Sequence, residues 1–424
     1  MFLGCTKKTK VNSAEVSSRD SLSSYLSLAN EDSLPLIKKQ QYNRKALAII
    51  SNQPNDSMNK VNLFKVANRY YNMNDWKGYK ETVRLVLENS KSNNDSVNMA
   101  KANTYLGDYY GAQAISDSAF ICYSLADKIY DNLNDDHSLA KTRLNKALLQ
   151  YSEGDFSGSE IAVFNALRAI KGKKANDILY DSYNLLGIVY NEREEYDRAV
   201  DFHTKALVSI DETVLPSVFQ SKAVSLNNIG FVYQNMNNHK QAISYFQQGL
   251  DQENLLIDKP SLFAMLLDNL AYSKFKIKES EELPELFYQS LKLRDSLQLT
   301  AGIITNKIHL SEYFASKKDT IRAVKYSKEA LAAARSSKNS RNVLASLKQL
   351  AVIEPKKAAS YTKQYIHIND SLQKAERNMG EKFTRIAYET DQIKDKNLDL
   401  VEQNRNLVYI FSGLAMLGLF TFVI

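Results

Sequence analysis

The residues of this 424-residue chain that could do acid–base, nucleophilic or metal chemistry are five histidines, two cysteines and scattered carboxylates. His137, His203, His239, His309 and His367 lie far apart, and none takes the H-E-x-x-H spacing that turns two imidazoles toward one zinc ion. Glu192, Glu194 and Glu195 crowd a single charged turn, where solvation is expected. No Gly-rich phosphate loop follows a strand-like segment. Cys122 stands beside Tyr123 on an apolar stripe, the setting of a buried, inert thiol. No nucleophile, base and oxyanion donor can be assembled from these parts, so the sequence implies neither catalysis within the chain nor a metal or cofactor.

Recognition chemistry is what remains. Amides, aromatics and charges recur at positions two, five, nine and twelve of a repeating unit. In the first third of the chain they are Asn68, Tyr71, Lys101, Asp108 and Lys141. Tyr151, Asp181, Asn184 and Asn191 continue the series, and Asn227, Phe231, Gln234, Asp268 and Tyr272 complete it. Asn184 and Asn227 hold the same site in adjacent copies, and a primary amide can both donate to and accept from a peptide backbone. The expected ligand is therefore a peptide or protein lying in a groove lined by these side chains.

A lattice of small residues sets the unit. Ala67, Gly107, Ala147, Gly187, Gly230, Ala271 and Ser311 follow one another about 40 residues apart. About 19 positions after each comes Val86, Ala126, Ala166, Ala206, Gly249, Ser290 or Ala330, all small but the first. Between them apolar residues keep helical spacing: Leu185, Leu186, Val189 and Tyr190, a charged turn, then Tyr196, Ala199, Phe202 and Ala206. Each unit is an antiparallel helical hairpin whose apolar face is covered only when a neighbour stacks on it. Pro35, Pro216, Pro260, Pro284 and Pro355 each precede an amphipathic run, where a first-turn proline costs no hydrogen bond. No alternating strand pattern appears, and the expected fold is all-α: a right-handed superhelical solenoid. The net charge of +7 is spread along solvent faces without blocks, which argues against a nucleic-acid partner.

The motif Leu106-Gly107-Asp108-Tyr109-Tyr110 with Ala119, Tyr123 and Ala126, repeated as Leu186-Gly187 with Tyr190, Ala199 and Ala206, resembles the tetratricopeptide repeat. Copies begin near Lys60, Ala100, Ala140, Tyr180, Ala223, Ala264 and Ile304, and a shorter one around Arg341 to Ile368 closes an array spanning 60–378. The period exceeds the family's usual roughly 34 residues, which implies longer helices. Residues 21–59 are read as N-terminal capping helices.

The ends differ from the array. Residues 1–20 read as a leader or tether in which Phe2-Leu3-Gly4-Cys5 looks like the end of a bacterial lipoprotein signal, making Cys5 a lipidation candidate. From 379 to 406, Ile386, Thr390, Ile393, Asn397, Leu400, Asn404 and then Leu407 alternate in steps of four and three. That is a heptad with polar a positions, expected to form a helical stalk that pairs two copies of the chain. Residues 407–424 carry no charge and predict one transmembrane helix, with the chain cut inside it or just after it.

This order of leader, repeats, stalk and span resembles the sensor half of membrane-bound two-component sensor histidine kinases of Bacteroidetes bacteria, or of related regulators carrying a helix-turn-helix domain. The stretch Lys382-Phe383-Thr384-Arg385-Ile386-Ala387-Tyr388-Glu389 is similar to their juxtamembrane segment. The resemblance implies a single-pass protein of the bacterial inner membrane with its repeats on the periplasmic side and a kinase beyond the membrane. Two functions follow: a sensory input region that changes geometry when its groove is filled, or a static membrane-tethered scaffold.

Overall fold

The computed structural model describes residues 13–279 and 281–422, with side chains from 21 to 279 and 281 to 390. Among the described residues every regular element is helical. The chain divides into two compact units, residues 1–149 with 383–424, and residues 150–382.

Unit 1 holds α1 (Ser13–Leu28), α2 (Leu36–Ser51), α3 (Ser57–Asn72), α4 (Trp76–Ser92), α5 (Ser96–Ala112), α6 (Ser116–Leu133) and most of α7 (Asp136–Ser152). Its core runs from Leu22 and Leu26 through Ile50, Leu63 and Val66 to Val83 and Leu106. Unit 2 holds α8 (Phe156–Ala169), α9 (Asn176–Glu192), α10 (Tyr196–Val208), α11 (Ser221–Asn235), α12 (His239–Leu250) and the short α13 (Leu255–Asp258). It continues with α14 (Pro260–Lys276), α15 (Glu285–Ser296), α16 (Thr300–Ser316), α17 (Thr320–Ser336) and α18 (Ser340–Ile353). The last helix, α19 (Ala358–Phe422), belongs to unit 2 as far as Lys382 and to unit 1 from Phe383. The seven expected copies begin on α3, α5, α7, α9, α11, α14 and α16. Helices of 17 and 18 residues, as in α5 and α6, account for the long period.

Several of the turns share one local device. A residue in the left-handed region closes one helix, and an Asp or Asn side chain then caps the next by accepting a backbone N–H. Asn74 (φ 54°) precedes Asp75, which accepts from the Gly78 N–H at 3.0 Å. Asn94 (φ 51°) precedes Asp95, which accepts from Asn98 at 3.1 Å. Gly154 (φ 81°) with Asp155 and Lys318 (φ 61°) with Asp319 repeat the device in unit 2.

Packing within a hairpin is a match of sizes. A Cβ added to Gly107 would stand 2.5 Å from the Tyr123 ring, one on Gly187 2.6 Å from the His203 imidazole, and one on Gly230 2.6 Å from the Phe246 ring. Each partner lies sixteen positions after its glycine, on the second helix. At the same offset Ala67 and Ala147 are followed by the smaller Val83 and Val163, all four buried. In these three hairpins a ring on the second helix faces a glycine on the first, whereas Phe287 follows the alanine Ala271 at the same offset. His203 takes a ring's place, is 1% exposed, and burial holds its imidazole down at about 4.

The ends depart from the sequence reading. α1 starts at Ser13, inside the stretch read as a tether. α19 starts at Ala358, so the second helix of the closing repeat and the expected stalk are one helix of 65 residues. Ile386 and Thr390, expected on a free dimer seam, are buried against the chain itself. Four-and-three spacing places residues on one face of any helix, and it cannot say which partner covers that face. The side chains of Ile393, Asn397, Leu400, Asn404 and Leu407 lie outside the described residues, as does Cys5. Among the described residues no helix is long and apolar enough to cross a membrane, and the side chains of 407–424 lie outside them.

Two stability tests follow from the size match. Gly230→Ala gains up to about 1 kcal/mol of helix propensity but forces the Phe246 ring aside, which costs about 1–3 kcal/mol. The expected net is a lower midpoint in urea unfolding, with Gly230→Ala/Phe246→Val more stable than the sum of its single changes; a higher midpoint for Gly230→Ala would refute the match. The second concerns pH. A histidine held near 4 when folded and near 6.5 when unfolded supports the fold above pH 6.5 and loses that support as pH falls toward 4, a change of about 3 kcal/mol. His203→Phe, which copies the Gly230 and Phe246 pair, is expected to flatten the stability profile across this window.

Candidate functional site

In unit 1 the helices α3, α5 and α7, with Tyr79 of α4 and Tyr130 of α6, enclose a pocket of about 470 Å³. Five of the residues singled out from sequence meet in it: Asn68 and Tyr71 from α3, Lys101 and Asp108 from α5, and Lys141 from α7. The structure adds Tyr79, Thr104, Tyr105, Tyr130, Ser138, Thr142 and Asn145. Ser138, Lys141, Thr142 and Asn145 share a face of α7 because they stand three and four residues apart. Tyr79 sits where the repeat calls for a small residue, and that misfit is the one sequence signal that marks it.

The walls are aromatic and already held in place. Tyr79 donates to the carbonyl oxygen of Tyr105 at 2.9 Å, and the two rings stack at 6.2 Å. Tyr71 packs on Tyr79 at 5.7 Å and edge-on to Trp76 at 5.3 Å. Burial pushes the Tyr105 and Tyr130 hydroxyls up, Tyr130 to about 12, so both remain donors throughout the neutral range.

The charges are unevenly matched. Asp108 accepts from Tyr123 at 2.8 Å and from Asn145 at 3.3 Å. Burial raises its carboxyl, while the Tyr123 hydrogen bond and the Lys141 charge pull the other way. Lys101 reaches over Phe64 at 4.4 Å and Tyr105 at 5.9 Å, and burial lowers its ammonium. Among the described residues no carboxylate lies within ion-pair distance of Lys101 or Lys141. Two cationic groups therefore share a half-enclosed pocket with one carboxylate, whose Oδ1 already accepts from Tyr123 and Asn145. Such a site favours an incoming anion, and its tyrosines offer flat faces and fixed donors.

In unit 2 the expected groove residues are largely engaged with one another. Asn228 donates to Asn184 at 2.8 Å, Asn227 to Asn228 at 3.2 Å and Asn269 to Asn227 at 3.0 Å, a chain of amides through α9, α11 and α14. Asn235 donates likewise to Asn191 at 2.9 Å. Asn227 and Gln234 are buried, Phe231 is exposed, and Tyr151 packs on Phe156 at 5.8 Å. Asp181 is exposed at the start of α9, with interactions of its own. Asn184 and Asn227 thus serve to join repeats, because each amide's own complementarity is met by the next copy. Asp268 is fully buried, accepting from Arg294 at 2.8 Å, from Asn306 at 2.8 Å and lying 3.1 Å from His309 Nδ1. Burial would raise its carboxyl, but His309 and Arg294 outweigh that and hold it low. Tyr272 stacks on His309 at 4.1 Å and donates to Glu312 at 3.0 Å. Asp268 is an internal anchor and not a groove surface.

Capped helical hairpins stacked in series make this a protein of tetratricopeptide-type repeats, and family models described as tetratricopeptide repeat match residues 182–215 and 223–251. No curated protein matches the chain in sequence. The fold is shared with solved structures. A Rap protein complexed with competence and sporulation factor is similar over 85% of this chain and 99% of its own, at 12% identity and a TM-score of 0.58. The Rap conjugation gene regulator of plasmid pLS20, in complex with the Phr* peptide, matches 84% of this chain and 96% of its own at 13% identity and 0.54. Aspartyl phosphate phosphatase F from Bacillus subtilis matches 92% and 97% at 15% identity and 0.54. At these identities the likeness is one of fold.

Removing the Asp268 carboxylate leaves the Arg294 guanidinium, 4% exposed, without its counter-charge. Asp268→Ala should destabilise the chain by about 3–5 kcal/mol in denaturant unfolding; a loss under about 1 kcal/mol would show that the cluster is not an anchor.

Proposed function

We propose that this chain is the ligand-binding part of a membrane-anchored bacterial signalling protein, and that it takes a peptide or protein segment carrying negative charge into the unit 1 pocket. The observation that carries this reading is the pair of ammonium groups, Lys101 and Lys141, lining a tyrosine-walled pocket that holds a single carboxylate, Asp108, with one of its oxygens already accepting from Tyr123 and Asn145. Two structures of like fold are complexes, one with competence and sporulation factor and one with the Phr* peptide, which supports a peptide ligand on this scaffold. Membrane anchoring rests on the uncharged run from Leu407 to Ile424, and the periplasmic setting and downstream kinase rest on the resemblance of the region around Lys382 to Glu389. Within unit 1 the pocket walls are held before a ligand arrives, by the Tyr79 hydrogen bond to Tyr105 and the packing of Tyr71 on Tyr79, so little ordering entropy is lost on binding.

Lys101→Met with Lys141→Met removes both charges and keeps the aliphatic stems. Fluorescence anisotropy with labelled random-sequence peptide pools, graded by Asp and Glu content, should show acidic pools binding the full chain and losing at least about tenfold in affinity to the double variant. Unfolding should move by less than about 1 kcal/mol. Equal binding of acidic and basic pools, or an unaffected double variant, would remove the reading.

A further inference from the structure

Two of the residues that sequence spacing offers for pairing two copies of the chain, Ile386 and Thr390, are turned inward. Within unit 1, Phe383 of α19 is 1% exposed, and its ring stacks on Phe120 of α6 at 4.6 Å with the planes 16° apart. Lys146 Nζ lies over Phe120 at 4.4 Å from its centroid. Farther along α19, Ile386 and Thr390 are buried, and the Thr390 hydroxyl donates to the Ile386 carbonyl oxygen at 2.7 Å. Steps of three and four put Phe383, Ile386 and Thr390 on one stripe. Thr384, Arg385, Tyr388 and Glu389, on the remaining faces, are exposed. This stretch of α19 has a single apolar stripe, and that stripe can face the repeats or a second copy but not both.

Unit 2 holds an upstream part of the same helix by separate means. Arg341 donates to Glu376 at 3.0 Å and to Glu192 at 2.6 Å. Gly154 leaves the space that the Glu376 side chain fills, since a Cβ there would stand 2.5 Å from Glu376 Cγ.

We propose that α19 is a latch. In the closed state described here, the stack of Phe383 on Phe120 buries the stripe of Phe383, Ile386 and Thr390 and withholds it from a partner copy; when Phe383 leaves Phe120, the stripe becomes the seam through which two chains pair. Helix α7 ties the latch to the pocket, for Asn145 lines the pocket and the next residue, Lys146, covers Phe120. That tie rests on the groove reading, whereas the latch itself stands without it.

The test uses the full chain in mild detergent, with no ligand. Phe383→Ala leaves the repeats' own side chains untouched, and Phe120→Leu keeps most of the volume while removing the ring stack. Both are expected to raise amide hydrogen exchange over 383–390 at least tenfold. Phe120→Leu, which leaves the whole stripe in place, is also expected to lower the dimer dissociation constant in sedimentation velocity at least tenfold. Adding Thr390→Lys to Phe120→Leu, which sets a charge on the freed stripe, should return the chain to monomer. Unchanged self-association in Phe120→Leu would overturn the latch, as would a wild-type chain whose 383–390 amides exchange freely.

Discussion

The contact on which this structure depends is the one between a small residue on the first helix of each hairpin and a side chain sixteen positions later on the second. Helix axes can approach only as closely as the facing side chains allow. In three hairpins a glycine makes room for a tyrosine, histidine or phenylalanine, in two an alanine faces a valine, and in the next Ala271 is followed by Phe287. Because interiors are packed about as densely as organic crystals, a single methyl group at Gly230 is felt by its neighbour.

Once hairpins stack at a fixed distance, equivalent polar residues in neighbouring copies come within hydrogen-bonding reach. In unit 2 the opportunity is used internally: Asn184, Asn228, Asn227 and Asn269 pass hydrogen bonds from copy to copy, and Asp268 gathers Arg294, Asn306 and His309. In unit 1 the positions equivalent to Asn184 and Asn228 carry Phe64 and Lys65, Thr104 and Tyr105, and Leu144 and Asn145, a series that cannot pair amide to amide, and a pocket stays open there. The same scaffold thus yields a stiff spine in one unit and a receptive surface in the other. The difference lies in which polar groups can serve as their own partners.

α19 extends the logic of the hairpin past the point where the repeats stop. It begins as the second helix of the last repeat and, with no further hairpin to cover it, uses its own stripe on the repeats already built. Phe383 finds Phe120 in unit 1, and Glu376 finds Arg341 in unit 2.

The sequence by itself determined the helical hairpins and their period, because small residues and apolar spacing are local properties that repeat. It also brought Asn68, Tyr71, Lys101, Asp108 and Lys141 into one set, since equal positions in stacked copies must share a face. It missed Tyr105, Tyr130 and Asn145, which enter the pocket from positions that no repeat rule marks, and it placed Asn227 and Asp268 on an open surface. Their burial is set by partners from other helices, such as Asn269 and Arg294, and a one-dimensional pattern names faces without naming what covers them. The same holds for Ile386 and Thr390: the heptad states that one side of α19 is apolar, and only the tertiary structure decides that this side rests on the chain's own repeats.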